Sequence, residues 1–161
     1  MGRLSRVEAL SDKHNLESFS SGSEPLDNWL RNSAPKALAS QTARVFVTHL
    51  DLDVKGYYAL AASSILKATL PANRNKGLPR HPIPMVLLAR LAVDKSFQGQ
   101  GVGQALVADA IERAAKISLN LGVFGLVTNA KDEEAVRFYE RLQFFPSTSD
   151  PTLMIFPLVT R

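Results

Sequence analysis

The chain contains no cysteine, which excludes disulfides, thiolate nucleophiles and zinc sites of the cysteine type. It also lacks any apolar run approaching membrane-spanning length. Its first residues, Met-Gly-Arg-Leu-Ser-Arg, carry no apolar stretch of the secretory kind. A cytoplasmic protein with no membrane partner is therefore expected. Histidine is sparse, and His14, His49 and His81 lie far apart in sequence; this scatter suggests no metal site. One further shortage is local: no acid occurs from residue 54 to residue 93.

What is present begins with 161 residues at 45% hydrophobic content, enough for a single domain over 1–161 with a proper core. Nine basic residues face two acids, Asp51 and Asp53, between Asn28 and Val93, a local charge of +7 within a net +4. Such a one-sided field suits a polyanion such as nucleic acid. A solvated basic surface that also serves a cofactor's phosphates accounts for it equally well.

The pattern along the chain predicts a turn at 20–23 running into a helix capped by Ser23 or Asp27, with Pro35 kinking or restarting it before residue 39. Residues 43–50 read as a strand, 51–56 as a hairpin connection and 57–64 as a second strand. The four prolines of 69–84 mark a long loop. A strand at 85–93 then breaks into a glycine-rich turn and a helix from about 101 to 118, its core stripe being Val102, Leu106, Ala110, Ala114 and Ile117. A strand at 123–128, a helix at 131–142 and closing strands at 144–145 and 153–158 complete the chain. Alternating strands and helices in the second half argue for an α/β protein with a partly parallel, mixed sheet.

The turn carries Gln98-x-x-Gly101-x-Gly103. Between a strand and a helix it aims backbone N–H groups and a positive helix end at whatever sits above, for which a phosphate is the natural occupant. Its glycines let a diphosphate approach without a Cβ in the way. Two common signatures do not fit. A P-loop needs Gly-Lys-Ser/Thr, which is absent, and the dinucleotide fingerprint fails because Gly99-x-Gly101 is followed by Gln104 and Gly101-x-Gly103 by Leu106. The pattern instead resembles the acetyl-coenzyme A signature of the GNAT N-acetyltransferases. A second stretch, Asn129-Ala-Lys-Asp-Glu-Glu-Ala-Val-Arg-Phe-Tyr-Glu-Arg-Leu-Gln-Phe-Phe145, is similar to the GNAT segment in which Asn-Ala ends a strand and a helix with Ala-x-x-Phe-Tyr follows. One departure stands out: this chain has Gln143-Phe144 where the family usually has Gly-Phe. Gln143 must therefore take a left-handed conformation at some cost or end the helix differently.

Further motifs narrow the resemblance. Phe19-Ser-Ser-Gly22-Ser-Glu-Pro-Leu26-Asp27-Asn-Trp29-Leu30, Tyr57-Tyr-Ala-Leu-Ala61, Leu78-Pro-Arg80-His-Pro-Ile-Pro84 and Leu88-Ala-Arg-Leu-Ala-Val-Asp94 resemble the toxin branch of the family. Those toxins are encoded beside ribbon-helix-helix antitoxins and acetylate the amino group of aminoacyl-tRNA. The resemblance spans about Phe19 to Leu158. It implies a GNAT fold with helices flanking a mixed central sheet splayed at the cofactor strand, acetyl-CoA as cofactor, a ribbon-helix-helix antitoxin and a homodimer.

It also implies roles for residues. Tyr139 matches the tyrosine that protonates the departing thiolate, a task a phenol suits; taken alone, it would also serve as a packed aromatic. Backbone groups of Leu91, Ala92 and Val93 are expected to pair with pantetheine amides. The N–H groups of Gln98, Gly99, Gln100, Gly101, Val102, Gly103 and Gln104 are expected to hold the pyrophosphate. Asn129 would bond the cofactor or a water, or act as a turn residue. The acid-free stretch removes the central-strand glutamate that many GNAT enzymes use as a base. An α-amino group is a weaker base than lysine, so direct attack or deprotonation through water would suffice.

Arg90 is a charge inside an apolar strand and needs a partner or a cleft. The expectation is that it faces the acceptor cleft and contacts RNA or cofactor phosphate, with Arg80 and Lys36 on the rim as further tRNA contacts; a structural salt bridge is the alternative. Two rival functions stay open: a GNAT enzyme acting on a protein N-terminus, a lysine or a small amine, and a non-catalytic nucleic-acid-binding module.

Overall fold

The computed structural model describes residues 2–158. Seven strands form a mixed sheet in the order β1-β2-β3-β4-β5-β7-β6: β1 (Glu8–Ala9), β2 (Arg44–Leu50), β3 (Asp53–Ile65), β4 (Ile83–Val93), β5 (Gly125–Asn129), β6 (Phe145–Pro146) and β7 (Leu153–Pro157). The helices are α1 (Glu24–Asn28), α2 (Ala34–Ser40), α3 (Val102–Ile117) and α4 (Glu133–Arg141). No helix among the described residues is long and apolar enough to cross a membrane. The chain divides into two compact units, residues 1–61 with 89–110, and 62–88 with 111–161.

In the first unit β1, β2 and β3 pair antiparallel. Their inward residues Val45, Val47, Val54 and Tyr57 pack with Phe19 and Leu30. The β2–β3 connection is tighter than the sequence suggests, because β3 already begins at Asp53 and the turn is Asp51-Leu52. Both turn residues have positive φ, 49° and 75°, the geometry of a two-residue hairpin that usually selects Asn-Gly. Without those residues the turn leaves little trace in the sequence. Ahead of β2, a π-helical turn over Trp29–Ser33 joins α1 to α2. Pro35, which has no N–H to give, falls in the first turn of α2, and the wider turn before it absorbs the missing bond. Ser23 sits at the N-cap of α1 without a side-chain cap. Asp27 instead reaches upstream and accepts from the Ser21 N–H and hydroxyl.

In the second unit β4 and β5 pair parallel, Met85–Leu87 against Gly125–Val127, and β7 runs antiparallel to β5 and β6. Ile65, Ile83, Met85, Val127 and Ile155 form its core. The proline-rich loop is shorter than expected, since Lys67–Thr69 is a 3-10 turn and Pro84 lies inside β4. Thr148 clips that loop by donating to the Ala68 carbonyl. Leu106, Ala110 and Ala114 of α3 are buried as their spacing predicts, whereas Ile117, at the helix end, is 36% exposed.

Candidate active site

The glycine turn lies in the first unit. Asp94, buried just after β4, caps the 3-10 turn Lys95–Phe97 that leads into it. Its carboxylate accepts from the Ser20 N–H at 2.9 Å and from the Ser96 N–H and hydroxyl at 3.0 and 2.7 Å. Burial pushes this carboxyl up, but the bonds from Ser96 and Ser20 outweigh it and hold the group below the usual aspartate value. Gln98, expected at the pyrophosphate, braces the turn from the side. Its Nε2 donates to the Ser21 and Val93 carbonyls at 2.7 and 2.8 Å. The Val93 carbonyl is thus engaged within the protein.

Above that support, Gly99 and Gly101 take φ of +76° and +82°, a region that side chains with a Cβ rarely enter. A Cβ built on either would project into open space. The first helical bond of α3 runs from the Ala105 N–H to the Gly101 carbonyl, so the N–H groups of Val102, Gly103 and Gln104 have no partner within the helix. The turn therefore offers helix-end donors with no partner in the helix, at a positive helix end, with room over both glycines. That shape fits a diphosphate.

Tyr139 lies in the second unit, on α4. Asp132 caps this helix, its carboxylate accepting the Ala135 N–H at 2.8 Å. The tyrosine ring sits against Phe138 and Phe144, with centroids 5.1 and 5.2 Å away. Burial pushes its hydroxyl above the ordinary phenol value, while a hydrogen bond with the Thr128 side chain pulls less strongly the other way. The phenol is consequently protonated throughout the physiological range and has a proton to give. Asn129, next along β5, is exposed at the strand end. After α4 the chain turns through Gln143 with φ of +75°, the left-handed conformation that glycine would take without strain.

Arg90, expected to face the acceptor, lies on β4. It is exposed, it forms no ion pair among the described residues, and its guanidinium lies 5.4 Å from the Trp29 ring centroid. The costly buried charge is avoided by snorkelling to the surface along an aromatic face. Trp29 stacks in turn on Tyr57, whose hydroxyl donates to the Leu26 carbonyl. Lys36 on α2 and Arg80 in the proline-rich loop are both exposed. Leu91 and Val93 are half-buried and Ala92 is buried on β4.

One cluster had no sequence signal. Pairing of β1 with β2 and the turn at 11–14 bring Glu8, His14 and His49 together, their ligand-type atoms within 4.8 Å of one another. The hydrogen bonds argue against an ion there. His14 Nδ1 accepts the Ser11 N–H and His49 Nδ1 accepts the Leu52 N–H. Both rings therefore carry their proton on Nε2 and donate it to Glu8, at 2.6 and 3.1 Å. A metal on Nε2 would need that proton moved to Nδ1, against two backbone donors. The trio is a brace between the N-terminal segment and the β2–β3 hairpin.

Comparison with known proteins agrees with this geometry. The GNAT acetyltransferase domain model matches residues 41–145. A tRNA-acetylating toxin of Mycobacterium tuberculosis is 38% identical over 94% of this chain and 90% of its own length. A probable toxin TacT of Sinorhizobium fredii is 28% identical over 92% of this chain and 88% of its own. The solved structure of AtaT complexed with acetyl-methionyl-tRNAfMet superposes with a TM-score of 0.90 at 33% identity, covering 96% of this chain and 95% of that one.

Proposed function

Since the chain belongs to the GNAT acetyltransferase family, we propose that it transfers acetyl from acetyl-CoA to the α-amino group of aminoacyl-tRNA and so blocks translation. The observation that carries this reading is its likeness to a tRNA-acetylating toxin over nearly the whole of both chains. The protein is read as one catalytic domain over 1–161, cytoplasmic, forming a homodimer and neutralised by an antitoxin of the ribbon-helix-helix kind. Solved relatives include a tyrosine-to-phenylalanine mutant of the toxin AtaT bound to the C-terminus of the antitoxin AtaR and acetyl-CoA.

When bound, acetyl-CoA supplies the acetyl group as an activated thioester. The N–H groups of the turn from Gly99 to Gln104 hold its diphosphate, with Gln98 and Asp94 fixing the loop from below. Backbone amides of Leu91, Ala92 and Val93 align the pantetheine arm, Val93 through its N–H, since Gln98 engages its carbonyl. The amine nitrogen forms the new C–N bond as the C–S bond breaks. Its surplus proton passes to water, since an α-amino group near neutral pH needs no strong base. Tyr139 Oη gives its proton to the departing sulfur, and Asn129 holds the cofactor or a water beside it. The exposed cations Lys36, Arg80 and Arg90 meet the phosphates of the acceptor arm.

The test is transfer of labelled acetyl to bulk tRNA. Charged tRNA is expected to take up label and deacylated tRNA none. Tyr139→Phe should lower kcat roughly a hundredfold while still binding acetyl-CoA. Equal labelling of deacylated tRNA, or no labelling of either, rejects the reading.

A further inference from the structure

Arg90 is exposed but not loose. Its guanidinium lies over the Trp29 ring, 5.4 Å from the centroid, and Nη1 donates to the Ala89 carbonyl at 3.1 Å. Trp29, the one tryptophan of the chain, is half-buried. It is backed by Tyr57, with ring centroids 6.0 Å apart and planes within 6° of parallel. Tyr57 is itself fully buried and held by its bond to the Leu26 carbonyl. Ala92, two residues along β4 and so on the same face as Arg90, is buried in the cluster that contains Tyr57 and packs against Leu26 and Trp29. Tyr57, Trp29 and Arg90 thus make a column that starts in the core and ends in a pinned, exposed guanidinium.

A guanidinium held over an aromatic ring keeps a second face for another π system, and unpaired nucleobases stack on such planes. We propose that this column takes the terminal adenine of the charged tRNA, the base whose ribose carries the amino acid. The inference rests on the proposed function, which runs the cofactor from the glycine turn past Val93 and Leu91. The next residue back along β4 is Arg90, so the column lies beside the acyl end, where the aminoacyl ester must arrive. Stacking engages the face of a base and leaves its edge unread, which suits a nucleotide that every charged tRNA shares. The role of Arg90 is thereby sharpened: its remaining N–H groups meet phosphate while its face takes the base.

The experiment compares two chemically acylated RNA minihelices ending in CCA, identical except that the second lacks the terminal adenine base. Amino acid, amine and phosphates are common to both, so the ratio of their kcat/KM values reports the base alone. For the wild-type protein, removing the base should lower kcat/KM about tenfold, the worth of one stacked base. In Arg90→Gln the same removal should cost almost nothing. Arg90→Lys should behave like Arg90→Gln, because it keeps the charge and offers no plane. Trp29→Leu, which removes the backing, should flatten the ratio in the same sense; Arg90 is exposed, so its variants decide the matter if this one folds poorly. The proposal is overturned if the wild-type protein ignores the missing base. It is also overturned if Arg90→Gln and Arg90→Lys lose activity on both minihelices alike and keep the wild-type ratio, as a phosphate contact or a structural role requires. A wild-type protein that leaves the complete minihelix unacetylated while acetylating protein amines refutes the proposed function itself, and the column with it.

Discussion

Asp94 ties Ser20 to the 3-10 turn that leads into the glycine turn, through bonds that only its ionised form accepts in full. Because its folded value is depressed, it contributes stability above the unfolded aspartate value and loses it as pH falls through the folded one. Asp94→Asn is therefore expected to cost about 1–3 kcal/mol at neutral pH and to remove part of the acid limb below roughly pH 4. Thermal melting of both proteins across pH 3 to 7 measures this, and parallel curves would contradict it. Gln143 offers the opposite case. It holds φ of +75° where the family pattern has glycine, and Gln143→Gly should raise stability by about 1 kcal/mol in a denaturant titration. Both positions could be singled out in the sequence, Gln143 by its departure from a motif and Asp94 only as the end of one. Arg90 was legible as an oddity, a charge in an apolar strand that needs a partner or a cleft; that it surfaces beside Trp29 is not specified by an apolar strand.

At the scale of elements, the seat of α3 on β3 is set by Gly56. A Cβ there would meet Leu106 Cδ1 and Thr48 Cγ2 at 3.1 Å and Val102 Cγ1 at 3.4 Å, so Gly56→Ala presses on the side chains by which the first turns of α3 pack, and these must give by a few tenths of an ångström. The expected loss is about 1–3 kcal/mol, with a raised KM for acetyl-CoA. Calorimetry and steady-state kinetics check the two parts, and an unshifted KM would show that the seat of α3 does not govern the turn. The long α3 and the charged α4 were plain in the sequence, as was the parallel arrangement their alternation with strands requires. The weaker elements failed for local reasons. β1 spans only Glu8–Ala9, too short for any periodicity. The hairpin at Asp51-Leu52 reaches positive φ without glycine. The π-helical turn before Pro35 looks in sequence like one helix with a flaw.

For the molecule as a whole, the acid-free stretch and the two glycine and tyrosine motifs point the same way. On the proposed function, the stretch leaves the central strand without a side-chain base and its cations would face phosphate. The trio of Glu8, His14 and His49 shows the limit of such reading, since three residues far apart in sequence meet only through a strand pairing. What composition cannot decide is which amine receives the acetyl group, and this is the central claim. Charged tRNA incubated with the protein and acetyl-CoA, then digested with nuclease, releases aminoacyl-adenosine for mass spectrometry. The account predicts a gain of one acetyl group on the α-amino nitrogen, dependent on Tyr139. Unmodified aminoacyl-adenosine, with acetyl appearing on protein amines in the same reaction, would contradict it.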